Sequence, residues 1–180
     1  MKKYILIKTA KENYPYILNV FKMLAHNCEI LEDTLYLKLS YQDIEDEEIE
    51  ATIQSLEGDL NALISYYVTS SKRPEKEIAI IEKLFFRVAY GHYHLKSLAI
   101  EIKNKADAME LFDFIVEGSG ITREIIFAMA DCDLNVSKAS VLLYMHRNTL
   151  IYKIERLIEL QSFDLKSFND LYLLVQLLKA

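Results

Sequence analysis

A chain of 180 residues, 52% hydrophobic and 27% charged, is long enough for one or two small domains with a real core and is not a disordered chain. The net charge of −6 excludes a simple basic nucleic-acid binder. Its distribution says more: residues 1–119 hold 14 Lys/Arg against 20 Asp/Glu, whereas residues 120–180 hold seven of each.

No apolar run reaches transmembrane length, and the opening stretch Met1–Ile7 is too short for a signal peptide, so a cytoplasmic protein without a membrane anchor is expected. Cys28 and Cys132 lie far apart without metal-ligand spacing and read as buried thiols in a reducing compartment.

In chain order, Tyr4–Lys8 reads as a buried strand, and Asn13–Ala25 carries a helical stripe of Ile17, Leu18, Phe21 and Leu24. Cys28–Glu32 and Thr34–Leu39 are strand-like runs that form a hairpin around Asp33. Asp43–Glu57 is an acidic amphipathic helix with Ile44, Ile49, Ile53 and Leu56 inward, and Gly58 is expected to stop it. Its run of carboxylates lacks the alternating ligands and central glycine of a calcium loop. Leu60–Ser70 reads as an alternating strand, and Pro74 opens a further helix through Ile78, Ile81, Leu84, Phe85 and Val88.

The order β-α-β-β-α-β predicts a split βαβ, ferredoxin-like core: an antiparallel sheet with helices on one face. It resembles the degenerate GGDEF-like domain that precedes the DNA-binding end of some bacterial regulators. That family's catalytic signature lies on the central hairpin. Here the hairpin reads Leu31-Glu32-Asp33-Thr34-Leu35, with no Gly-Gly pair to admit a nucleotide phosphate, so cyclase activity is not expected.

Leu95–Glu117 is helical but broken near Asn104–Asp107. Gly118-Ser119-Gly120 is too short to cradle a phosphate and lacks a following Lys-Ser/Thr; it reads as a domain boundary or a turn into the next helix. His92 and His94, at i, i+2, lack a third metal ligand nearby. No nucleophile–base constellation or paired catalytic carboxylates stand out, so neither an enzyme nor a cofactor site is expected.

The C-terminal part is more definite. Ile121–Asp131 fits a first helix, with Ile125, Ile126, Ala128 and Met129 apolar. Asn135 should cap a second, with Val136, Ala139, Leu142 and Leu143 inward. Tyr144-Met145 makes a turn and His146 caps a third helix running to about Leu160, with Met145 and Leu150 as a hydrophobic staple. At 100° per residue Leu150, Ile154 and Leu157 form its inward stripe, while Asn148, Tyr152, Glu155 and Arg156 face outward with Thr149 at their edge. His146 and Arg147 lie at the helix start. Arg can fork onto guanine, Asn can bridge adenine, and Thr can meet thymine or phosphate. Lys138, Lys153 and Arg156 are the candidate phosphate contacts. A binding segment without net charge makes few such contacts and needs a homodimer or larger assembly to gain affinity. The apolar stripe Leu171, Leu174, Val175 and Leu178 of a last helix serves packing within its own domain or a dimer seam.

The run His146-Arg147-Asn148-Thr149-Leu150-Ile151-Tyr152-Lys153, preceded by Asn135 and Ala139 and followed by Glu159-Leu160 and Asp164-Leu165, resembles the C-terminal helix-turn-helix of PucR-type (CdaR-like) bacterial transcription regulators, itself similar to the DNA-binding end of Fis. The resemblance covers roughly Thr122 to Leu178. It implies a sequence-specific binder of double-stranded DNA, with base reading by His146, Arg147, Asn148, Thr149 and Tyr152. The chain departs from the family in having Ile151 where a positive residue is usual, Lys153 where an Arg is usual, and Lys166–Asp170 in place of an acidic, proline-containing loop. The lost charge should weaken phosphate binding. The family's preceding sensory region is not found, so the resemblance leaves the effector unknown. The domain organisation expected is a ferredoxin-like α+β domain over 1–92, a helical connector over 93–120 and an all-α helix-turn-helix domain over 121–180. A module that keeps this fold yet binds another protein instead of DNA is the alternative, supported by the net charge of −6 and Ile151.

Overall fold

The computed structural model describes residues 3–24, 29–32, 37–41, 44–69 and 71–180, the side chains of residues 29–32 and 86 aside. The described chain divides into two compact units. One runs through Thr69 and includes Pro74–Leu95; the other holds Lys96–Ala180 and the short segment ending at Arg73.

The first unit contains strands β1 (Lys3–Lys8), β2 (Glu29–Glu32), β3 (Leu37–Tyr41), β4 (Ser65–Val68) and β5 (His92–Tyr93), with helices α1 (Tyr14–Leu24), α2 (Asp46–Leu60) and α3 (Pro74–Leu84). The sheet order is β2-β3-β1-β4-β5. The first four strands pair antiparallel, with Ile5 opposite Leu39 on one side and Val68 on the other. This is the ferredoxin-like α+β arrangement expected from the element order. The hairpin turn around Asp33, and Cys28, lie outside the described residues.

Side chains alternate across each strand, so Ile5, Ile7, Leu37, Leu39, Tyr41, Tyr66 and Val68 share one face. They bury against Ile17 and Phe21 of α1 and Ile49, Ile53 and Leu56 of α2. Helices on this face alone were expected, but α3 covers the other face. Glu75 accepts from the Tyr4 hydroxyl, Glu77 from the Tyr67 hydroxyl, and Glu82 from Lys38 at 2.6 Å. With both faces covered, all four residues of β4 are buried, and the strand is shorter than the expected run from Leu60 to Ser70.

Two further boundaries differ. α2 passes through Gly58, which has open space around it, and ends where Asn61 takes the left-handed conformation (φ 45°), as Asn tolerates. β5 was not expected; it adds one parallel edge strand beside β4, with Tyr66 opposite His92.

The second unit is helical: α4 (Leu95–Glu101, from Lys96 on), α5 (Lys105–Val116), α6 (Arg123–Asp131), α7 (Val136–Leu142), α8 (Arg147–Gln161) and α9 (Phe168–Lys179). The break expected near Asn104 is real, because the Asn104 side chain caps α5 by accepting from the N–H groups of Ala106 and Asp107. α9 packs against α5 and α6, with Leu171, Leu174 and Leu177 buried. The Gln161 amide of α8 donates to the Phe114 carbonyl of α5. Among the described residues, no helix is long and apolar enough to cross a membrane.

Candidate DNA-reading surface

Gly118 and Gly120 both have positive φ, 77° and 75°, and make the turn into α6. Ser119 is buried between them, donating to the Val116 carbonyl and accepting from Ile121 N–H. α6 then buries Ile125, Ile126, Ala128 and Met129 as expected. At its start Thr122 hydrogen-bonds the Glu124 carboxylate, which together with Glu124's own backbone N–H and the Arg123 charge holds that carboxyl below its usual range.

Asp133 and Leu134, both left-handed, turn the chain from α6 into α7, where the Asn135 side chain accepts from Lys138 N–H at 3.0 Å. Ala139 is fully buried, a close approach that its small side chain permits, and Ser140 is buried beside it. Leu142, expected inward, is exposed. Inward positions recur at i+3, i+4 and i+7, so 136, 139, 140 and 143 form the stripe and 142 falls outside it. Cys132, expected buried, is partly exposed where α6 ends.

Tyr144 turns the chain again with φ 49°, and it is fully exposed. His146 caps α8, its Nδ1 accepting from Asn148 N–H at 3.2 Å. An accepting Nδ1 places the ring proton on Nε2, leaving a donor at the outer edge of the helix start. Leu150, Ile154 and Leu157 are buried to 1% exposure or less and fix the rotation of α8. His146, Arg147, Asn148, Thr149, Tyr152 and Arg156 are all exposed; at 100° per residue Asn148, Thr149, Tyr152 and Arg156 share one side of α8, while His146 and Arg147 stand at its start.

The cations differ in what they hold. Arg147 and Lys138 have no ion-pair partner among the described residues. Lys153 donates to the Gly120 carbonyl at 2.7 Å, and Arg156 pairs with Glu159 at 3.0 Å. Sequence reasoning placed Tyr144 in the turn but did not single out its exposure; its left-handed backbone leaves no periodicity to find it by. Elsewhere, His92 approaches Glu57 at 3.7 Å and His94 approaches Glu50 at 3.5 Å. Among the described residues, no group of three or more His, Cys, Asp or Glu is placed to hold a metal ion.

An amphipathic first helix, a short second helix packed against it, a tight turn and a third helix with a bare polar start define a helix-turn-helix domain. More particularly, residues 122–180 match the family model of the PucR C-terminal helix-turn-helix domain, and this part of the chain is such a domain. The match begins at Thr122, the residue that precedes α6, and takes in α6 to α9. Comparison with curated proteins gave no significant match. Among solved structures, the crystal structure of a regulator of polyketide synthase expression from Bifidobacterium adolescentis is 12% identical, with a TM-score of 0.48 over 99% of this chain and 79% of that one.

Proposed function

We propose that the protein is a cytoplasmic transcriptional regulator that reads the major groove of double-stranded DNA with the start of α8. The observation that carries this reading is the position of Arg147, Asn148 and Thr149. They stand exposed in the first turn of a helix anchored by the buried Leu150, Ile154 and Leu157. Their donor and acceptor sets match base edges, and the free N–H groups of a helix start favour a phosphate nearby. His146 and Tyr152 flank them, while Lys138, Lys153 and Arg156 supply backbone contacts. An ammonium has three donors, so Lys153 can keep its bond to Gly120 and still meet a phosphate.

Three phosphate contacts are few, so two copies bind together as a homodimer. The ferredoxin-like unit, whose order resembles a degenerate GGDEF-like domain, pairs the subunits or receives a signal; residues 93–120 support the reading domain over 121–180. The test is a salt series on duplex fragments selected from the source genome. Six contacts in a dimer predict a log–log slope of roughly −5.

A second reading, a protein-interaction module without DNA contact, draws on Ile151 and on the intramolecular bonds of Lys153 and Arg156. Absence of binding at low salt would favour it over the first.

A further inference from the structure

Within the second unit, a cleft of about 790 Å³ opens between α4 and α9, lined by residues that include Ala99, Ile100, Ile102, Tyr172 and Leu173. Its volume lies within the range of small-molecule sites. It is separate from the proposed reading surface, since none of the exposed residues of α8 lines it. Half of the twelve lining residues are polar or charged; among them Lys96, Lys103 and Lys179 are cationic and Asp170 carries the sole acidic side chain.

Asp170 is already committed. It accepts from Lys96 at 2.8 Å and from Asp164 N–H at 2.9 Å, tying down the turn that leads into α9. Lys103 and Lys179 are exposed and have no ion-pair partner among the described residues. An apolar wall beside two uncompensated ammonium groups complements a molecule with an apolar body and an anionic head. No arginine, the residue that forks onto phosphate, lines the cleft. We propose that the α4–α9 cleft binds a small amphipathic carboxylate, its apolar body against Ile100, Ile102 and Leu173 and its head at Lys103 and Lys179.

The test is calorimetric titration of the full chain, without DNA, with octanoate and with 1-octanol. Because no DNA is present, its result is independent of the DNA-reading role. Saturable octanoate binding, with 1-octanol weaker, is expected. The exposed double variant Lys103→Gln/Lys179→Gln should weaken octanoate by about tenfold and leave 1-octanol unchanged. Ile100→Glu, also at an exposed position, should weaken both. Absence of saturable octanoate binding, equal affinity for the alcohol, or indifference to the lysine substitutions overturns the proposal. So does co-sedimentation with phosphatidylglycerol vesicles that octanoate does not compete away, which would assign the cleft to a lipid surface instead of a free carboxylate.

Discussion

The Nζ of Lys153 donates to the main-chain carbonyl of Gly120 at 2.7 Å, tying the middle of α8 to the turn ahead of α6. The ammonium also lies against the place a Cβ would occupy on Gly120, 3.5 Å away. One lysine thus fixes the reading helix to the scaffold while standing on the proposed DNA side. Lys153→Gln should lower stability by about 1 kcal/mol in urea unfolding. It should also reduce the salt slope of DNA binding by about 1 per protomer. A stability loss with an unaltered slope would strip Lys153 of its phosphate role and leave the structural one.

The His146 cap separates folding from reading. Removing the imidazole in His146→Ala leaves Asn148 N–H without its acceptor and should cost about 0.5–2 kcal/mol. His146→Asn restores a capping acceptor and should recover most of that loss, but it removes the outward Nε2 donor. Measured on a selected operator, His146→Asn should therefore bind more weakly than its stability explains. Full recovery of both quantities would restrict His146 to the cap.

Arg147 and Lys138 should behave differently from each other. Arg147→Ala is expected to cost about 1–3 kcal/mol at one base pair and to relax sequence choice there. Lys138→Ala should weaken all sequences by a similar factor, because a phosphate contact carries no base information. Binding arrays over single-base operator variants provide the readout. Equal losses for Arg147→Ala at every variant would take base reading away from that side chain.

Much of the helix-turn-helix domain is legible in the sequence because its signals are local. The caps Asn135 and His146 and the stripe Leu150–Ile154–Leu157 each depend on residues within a few positions of one another, and the structure places all of them as read. The ferredoxin-like order is legible for the same reason, as a succession of short periodic segments. What was hidden depends on distant partners. The burial of both faces of β4 comes from α3, a helix further along the chain, and a strand of two residues such as β5 carries no periodicity at all. Gly58 misled because a glycine is weakly tolerated in an exposed helix, while Asn61, three residues on, provides the actual left-handed stop. The Lys153–Gly120 bond spans 33 positions and ends on a main-chain atom, which no side-chain pattern encodes.

The sheet of the first unit makes stability sensitive to alkali. Burial raises the phenol pKa values of Tyr41, Tyr66 and Tyr67, reinforced by Asp46 near Tyr41, by Glu50 and Glu57 near Tyr66, and by Glu77 near Tyr67. A phenol whose folded pKa exceeds its unfolded value of about 10 holds its proton in the folded state after the unfolded chain has released it. Its contribution is therefore complete below about pH 10 and is lost as pH rises, by about 1.4 kcal/mol per pH unit for each such tyrosine. Lys8 works in the opposite sense and at lower pH, below its unfolded value of about 10.4, because burial lowers the pKa of its ammonium. Comparing parent with Tyr41→Phe cancels the Lys8 contribution. The Tyr41 hydroxyl is buried without a hydrogen-bond partner among the described residues, so Tyr41→Phe removes an unsatisfied polar group and should raise stability at about pH 8, by about 1–3 kcal/mol. Between about pH 10 and pH 11 the variant should lose less stability than the parent, by about 1 kcal/mol, the difference growing by about 1.4 kcal/mol per unit at higher pH. Urea unfolding at these pH values, with tyrosinate absorbance followed in parallel, measures both. Identical alkaline slopes for the two proteins would show that Tyr41 ionises as readily in the folded chain as in the unfolded one, against the burial that the sheet imposes on it.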